Sequence, residues 1–367
     1  MLIFDAHLDL SANATEWNRD LTLSVAELRT GERSLTDHVA RGHGTVALPE
    51  MRRGGVGLCV ATQIARVVTD PNNPLPGWRS PAQAWAMTQA QRAWYGAMED
   101  AGEMRLVHDV TSLDEVAAAW TDSLADSPAG TDETKRRRLP VGFVLSLEGA
   151  DSLITLDHLH RAHADGLRAL GPAHYGSGIY AHGTDAEGNL PAAGRDLLRE
   201  MDSLGMILDV THLTDEAFWE AIELYSGPVW ASHQNCRALV PHQRQFSDEQ
   251  LKALIGRGAV IGAAMDAWML APGWVRGETT PQSAGVTLRT VVDHIDHVCQ
   301  LAGNADHAGI GSDLDGFFGT EQSPADLDTI ADLARIPKLL GERGYEEEAI
   351  AKLAHGNFLR FLRDAWA

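Results

Sequence analysis

Seven residues of this chain are of the kind that hold metal ions or move protons: His7, Asp9, Glu148, His174, His212, His233 and Asp313. Each stands at or just past the end of a short apolar run. Carboxylates and imidazoles together are the ligand set of zinc and related divalent cations. A lone histidine at such a place is more often a hydrogen-bonded structural residue. Seven ionisable groups at the ends of six runs are hard to place in one core unless a cation offsets them, because burying charge without compensation is costly. His7 and Asp9 are two residues apart, so on an extended segment they point the same way and bring an imidazole and a carboxylate to one centre. The competing reading is that Asp5 and Asp9 only cap the turn that follows. Glu148 closes the run VGFVLSL and precedes Gly149. Its two oxygens can bridge two metal ions about 3.5–4 Å apart. His212 and His233 end consecutive runs and could hold the second ion. Asp313 ends the last run, which a closed barrel places beside the first. A carboxylate there suits orienting a metal-bound hydroxide and shuttling its proton.

The elements that must position these residues are eight apolar runs: Leu2–Phe4, Val56–Ile64, Val141–Leu147, Leu167–Leu170, Met206–Val210, Pro228–Ala231, Ala259–Met265 and Ala308–Gly311. Between most of them lie segments with helical spacing. Ala193–Leu204 gathers Leu197, Leu198, Met201 and Leu204 on one face before Gly205. Thr214–Leu224 opens on a capping Thr and an acidic turn, and Ser247–Ile255 on a Ser with a Gln three residues on. Thr287–Ala302 is a further amphipathic run. Alternation of this kind predicts an α/β protein, a (β/α)8 TIM barrel whose reactive residues stand at the C-terminal strand ends. The near-continuous apolar strands agree, since barrel strands are buried on both faces. The second and third runs are too far apart for one helix. The sequence predicts a helical insertion there over about residues 70–140, with a Trp- and Ala-rich helix over Pro81–Ala101, a second near Leu113–Ala125 and a polar loop Ser127–Arg138. Trp78, Trp85 and Trp94 read as packing residues of that insertion, and the basic run Lys135–Arg138 as a solvated loop. Closing helices are expected over about residues 321–367, within one barrel domain spanning 1–367.

The 367 residues would allow roughly two domains by length alone, or one barrel. Lys and Arg number 30 against 51 Asp and Glu, a net charge of −21, which repels nucleic acid and anionic lipid. No apolar stretch approaches the roughly 18 residues of a transmembrane helix, so no membrane association is expected. The start, MLIFDAHLDL, reads as a core strand rather than a signal peptide. Cys59, Cys236 and Cys299 are too few and scattered for a disulfide framework, and a cytoplasmic setting is the simplest expectation.

DAHLD at 5–9, SLEGAD at 146–151, DVTH at 209–212, ASHQNCRAL at 231–239 and GIGSDLDG at 309–316 together resemble the membrane (renal) dipeptidase family, a branch of the amidohydrolase-like zinc barrels. The likeness runs in order over nearly the whole chain. It implies two zinc ions per chain, with His7 and Asp9 as ligands of the first, His212 and His233 of the second, and Glu148 as the bridge. It implies that His174, in GPAHYGSG, polarises the scissile carbonyl and steadies the oxyanion. Arg244, eleven residues after His233, resembles the arginine that grips the substrate's terminal carboxylate. Asp313 resembles the aspartate that holds the free amino group and moves protons. The implied activity is hydrolysis of free dipeptides by a metal-bridging hydroxide, and a homodimer is expected.

The chain departs from the family pattern in two places. Around Arg244 it reads PHQRQFSDEQ where many relatives have an Arg-Asn pair, which leaves Arg237 as a fallback. After the seventh run it reads GAAMDAWML, so Asp266 and Trp268 replace an Asn-aromatic segment, and Asp266 would favour a substrate with a basic side chain. The alternatives are another barrel hydrolase, such as a deaminase, lactonase or phosphotriesterase, and a non-catalytic relative. The former typically begin with HxH rather than the HxD found here, and a dead relative should lack part of the ligand set. His158, His160 and His163 are expected to face solvent or cap a helix. His294 and His297 are expected on a polar helix face, and Asp315 as a turn residue.

Overall fold

The apolar runs become strands in chain order: β1 Ile3–Leu8, β2 Val56–Ile64, β3 Met104–Leu106, β4 Val141–Glu148, β5 Leu167–Gly171, β6 Ile207–Asp209, β7 Val229–Trp230, β8 Ile261–Ala263 and β9 Ala308–Ile310. They are seen in a computed structural model that describes residues 1–68, 77–125, 136 and 138–367. Eight of them follow one another in the order β7-β6-β5-β4-β2-β1-β9-β8, every pair parallel. A bridge between Ala231 and Ile261 brings the two ends together, with Ala231 N–H donating to Val260 O at 3.1 Å and Gly262 N–H to Ala231 O at 2.9 Å. The result is the expected (β/α)8 barrel. At this seam the Ser232 carbonyl oxygen presses against two glycines, where an added Cβ would lie 2.0 Å (Gly262) or 1.8 Å (Gly311) from it. Only residues without a side chain allow the closure.

Every residue of β1, β2 and β4 is buried, which is why their sequences are nearly unbroken in apolar character. β1 runs past the predicted end at Phe4 because the carboxylate of Asp5 is satisfied inside the barrel. The Asp5 carboxylate accepts from Ser312 N–H at 2.7 Å, Ser312 Oγ–H at 2.5 Å and His7 N–H at 3.3 Å. β1 and β9 share one residue pair, Asp5 with Ile310, so this carboxylate does much of the joining between them. β3 was not expected. It is three residues long and carries an arginine, and it takes the edge of β4 at Val141–Phe143 below the stretch that β5 occupies.

The predicted helices form over Ala192–Ser203, Asp215–Leu224, Asp248–Gly256 and Leu288–Ala302. Thr214 and Ser247 cap theirs, the latter in a capping box with Gln250. Three short helices in the β1–β2 connection, Leu10–Thr15, Val25–Glu32 and Leu48–Gly54, were not legible beforehand. The insertion between β2 and β4 has its two helices, Pro81–Asp100 and Val110–Ala125. Its polar loop Ser127–Arg138, with the basic run Lys135–Arg138, lies outside the described residues apart from Arg136 and Arg138. Helix Pro81–Asp100 holds the end of β2 beyond the last β1 pair, Leu8 with Ala61. The Gln91 amide accepts from Ile64 N–H at 2.9 Å and donates to Ile64 O at 2.8 Å, and the Tyr95 hydroxyl donates to Thr62 O at 3.0 Å. Trp85 and Trp94 pack against the core as expected. The closing segment folds as Ile336–Arg343, Glu347–Ala351 and Asn357–Ala365, with Phe358 stacked on Phe4 at 5.1 Å. No helix among the described residues is long and apolar enough to cross a membrane.

Candidate metal centre at the barrel mouth

His7 is the last residue but one of β1, Glu148 ends β4, and His212, His233 and Asp313 follow β6, β7 and β9 by three residues each. Their donor atoms converge. His7 Nε2 lies 3.8 Å from Asp9 Oδ1, 3.6 Å from Glu148 Oε2 and 3.9 Å from Asp313 Oδ1. On the other side, Glu148 Oε1 lies 3.2 Å from His212 Nε2 and 3.4 Å from His233 Nε2, and these two nitrogens are 3.1 Å apart. Glu148 therefore stands between two sets of donors, one oxygen toward each. Four ligands at about 2.0–2.1 Å around a tetrahedral zinc are about 3.3 Å from one another, the scale of these separations.

The hydrogen bonding agrees with a cation in this place. His7 Nε2, Asp9 Oδ1 and Glu148 Oε1 are buried without a hydrogen-bond partner. The outer ring nitrogens are occupied: His212 Nδ1 meets Thr184 Oγ1 at 2.8 Å and His233 Nδ1 meets Ser232 Oγ at 2.9 Å. That leaves each Nε2 lone pair for the centre. Asp9 is at the N-cap of Leu10–Thr15 but makes no side-chain cap bond, so the capping reading fails for it. Asp5 is a β1 residue whose carboxylate serves Ser312 and His7. Burial drives the titration of the whole group. It holds His7 down to about 3 and His174, His212 and His233 well below their ordinary range. Burial, then the neighbouring acids, raise Asp9 to about 7 and push Glu148 and Asp313 well up. A cation among the three carboxylates removes that cost, and the donor set fits a divalent ion or a pair of them.

Local backbone is special here. His212 (φ 71°) and Asp313 (φ 58°) adopt the left-handed conformation, a strain of about 1–3 kcal/mol each that only a well-determined surrounding sustains. Asp209 supplies part of it, with Oδ1 accepting from Thr211 N–H and Ser232 N–H, both at 3.1 Å, so one carboxylate sets the loops bearing His212 and His233. Asp315 is a turn residue as expected: it accepts from Thr45 and Val46 backbone N–H and pairs with Arg19 at 3.2 Å.

Arg244 is 3 % exposed, donates to Gln234 Oε1 at 2.6 Å and to His233 O at 2.9 Å, and comes within 3.4 Å of His212 Nε2. Arg237 is turned to a bidentate pair with Asp215, at 2.8 and 2.7 Å. Asp266 is buried and pushed up to about 7, and accepts from the Trp268 indole at 2.7 Å. His174 faces the centre, its Nε2 3.9 Å from Glu148 Oε2. The other histidines divide. His158 meets Thr155 and His160 pairs with Glu200, both at the surface, and His297 pairs with Asp248. His294 is not on a polar face: it is 2 % exposed, and its Nδ1 accepts from Cys236 N–H at 3.1 Å. Sequence reasoning missed Arg66, Thr184, Ser232 and Tyr175. Tyr175, whose ring lies 5.4 Å from that of His212, follows His174 directly and could have been found from GPAHYGSG; Arg66 belongs to no motif.

A closed parallel barrel whose strand ends aim acids and imidazoles at one centre is the architecture of the barrel metallohydrolases. The membrane dipeptidase family, peptidase family M19, matches residues 1–366, and the chain belongs to that family of hydrolases. An uncharacterized Klebsiella pneumoniae protein from the pqqA 5′ region is 33% identical over 216 residues, covering 57% of this chain and 76% of that protein. Dipeptidase tcpJ of Claviceps purpurea is 31% identical over 234 residues, 61% of this chain and 51% of that protein, so the match spans about half of that relative. A Rhodobacter sphaeroides metallopeptidase, solved with a phosphinate mimic of the dipeptide L-Ala-D-Ala, shares the fold with a TM-score of 0.78 at 23% identity, covering 100% of this chain and 99% of that one.

Proposed function

We propose that the protein is a dipeptidase that works with two divalent ions, zinc foremost, and cleaves the peptide bond of free dipeptides. The observation that carries this reading is the division of Glu148, one oxygen toward His7 and the other toward His212 and His233. His7 and Asp9 would hold one ion with it, and His212 and His233 the other. When bound, such a pair acidifies water and acts as a Lewis acid on the amide carbonyl.

The remaining work falls to the protein's own groups. His174 presents Nε2 to the mouth and donates to the carbonyl oxygen as it gains charge. Asp313 takes the proton of the attacking water and passes it to the departing nitrogen, so that a C–O bond forms as the C–N bond breaks. The same carboxylate anchors the substrate's ammonium group. Arg244, held rigid by Gln234 and the His233 carbonyl, pairs with the terminal carboxylate. One anchor for each charged end selects free dipeptides over longer peptides.

The test is metal quantification of the purified protein beside a panel of L,L and L,D dipeptides, their N-acetyl and C-amide forms, and tripeptides. Two ions per chain and hydrolysis confined to free dipeptides are expected. A protein that retains no ion after zinc reconstitution, or that cuts tripeptides as fast as dipeptides, overturns the reading.

A further inference from the structure

Arg66 stands two residues beyond β2 and is absent from every motif that marks the site. Its guanidinium directs Nη2 and Nε at His174 Nδ1, at 2.8 and 3.2 Å. A guanidinium has only donors, so Nδ1 must be the acceptor. The neutral imidazole then carries its proton on Nε2, the nitrogen that faces Glu148 and the metal centre. Among the described residues no carboxylate lies within ion-pair distance of Arg66, and its Nη1 is buried without a hydrogen-bond partner. Glu148 and Glu16 act on it only from beyond that distance, and burying a cation with no direct ion pair is costly. Its placement is also enforced. Ile64, two residues before it, is gripped at both N–H and C=O by Gln91, and the Arg66 carbonyl accepts from Trp78 N–H at 2.8 Å.

We infer that Arg66 is a positioning residue for His174: by donating into Nδ1 it fixes the Nε2–H tautomer and aims that N–H at the place where the oxyanion develops. A second consequence is electronic, since a cation against Nδ1 makes the Nε2–H a stronger donor. The inference rests on the dipeptidase reading only for what the oriented N–H does.

The test uses the zinc-loaded, full-length protein, 15N-labelled at histidine, as wild type, Arg66→Met and Arg66→Lys, with His174→Gln to assign the His174 signals. Arg66→Met should lower kcat for a good dipeptide about 100- to 1,000-fold while KM stays within about threefold and metal content is unchanged, the scale of losing one oxyanion donor. In the same variant the His174 Nδ1 resonance should gain protonated character. Arg66→Lys, which keeps a donor, should hold the wild-type tautomer and recover most of kcat. An unchanged kcat, a change in KM alone, or a fall in kcat with the tautomer untouched each overturns the assignment. If wild type cleaves no dipeptide, the dipeptidase reading fails, and the tautomer comparison still decides what Arg66 does to His174.

Discussion

Replacing Thr184 with valine tests whether the site is divided as its geometry indicates. The Thr184 hydroxyl is fully buried and meets His212 Nδ1 at 2.8 Å; it touches no other ring of the cluster. Valine keeps the shape and removes the acceptor. The Nδ1–H of His212 then has no partner, a cost of about 1–3 kcal/mol in a buried position. Loss of such an outer partner lowers metal affinity by about 10–100-fold, or roughly 1.4–2.7 kcal/mol. Because His212 belongs to one donor set only, the loss should fall on one ion. Titration against a competing chelator should show one Kd raised about 10–100-fold and the other within about threefold of wild type. With zinc in excess, kcat should return to within about threefold. Ser232→Ala is the contrasting variant, since Ser232 Oγ lies 2.9 Å from His233 Nδ1 and 3.4 Å from His7 Nδ1 and so touches both sets. Two sites weakened equally by Thr184→Val, or neither, would refute the division.

Four further outcomes are expected. His7→Ala or Glu148→Ala should abolish activity and lower metal content; full activity with unchanged metal removes the ligand assignment. Arg244→Ala should raise KM for free dipeptides far more than for carboxyl-amidated analogues, and equal effects take it out of the carboxylate role. Asp151, whose carboxyl accepts from Ile179 N–H at 2.8 Å, is held by burial up from 3.8 to about 6. Its folded form thus holds the proton more tightly than the unfolded chain, so its contribution is greatest below about pH 4 and is lost as pH rises through 6. Across that window the loss is up to about 3 kcal/mol, and Asp151→Asn should flatten the pH dependence of denaturant midpoints there. Gly311→Ala should lower Tm steeply or prevent folding, because its methyl would meet the Ser232 carbonyl at 1.8 Å and backbone cannot step aside; a wild-type melting curve would contradict the seam described above.

The eight barrel strands and the helices between them were legible because strands buried on both faces need apolar residues throughout, and amphipathic helices announce their caps. Legibility stopped where polar residues do structural work inside the barrel. β1 reads as ending at Phe4 only because Asp5 and His7 look like loop residues, whereas Ser312 turns Asp5 into part of the strand. β3 borrows its stability from β4 and has too few residues to show a pattern. The seven chemical residues were visible because each stands at or just past the end of an apolar run and contributes a donor type that chemistry can name. Thr184 and Ser232 act through hydroxyls that are common everywhere, and Arg66 owes its place to a contact 108 residues away along the chain. His294 misled for the opposite reason, since a histidine at helical spacing gives no sign that a backbone N–H from another loop will come to meet it.

The grip of Gln91 on Ile64 has a bearing on how this enzyme could be altered. β2 keeps β4 beside it to the end, Ile64 paired with Glu148, but on its other edge β1 stops short and an amide from the helical appendage takes that place. The exit direction of the chain toward Arg66 is thereby set from the periphery. Damage to the appendage would surface as a faulty catalyst in a well-folded shell, and redesigning it offers a handle on the mouth that leaves every barrel residue in place.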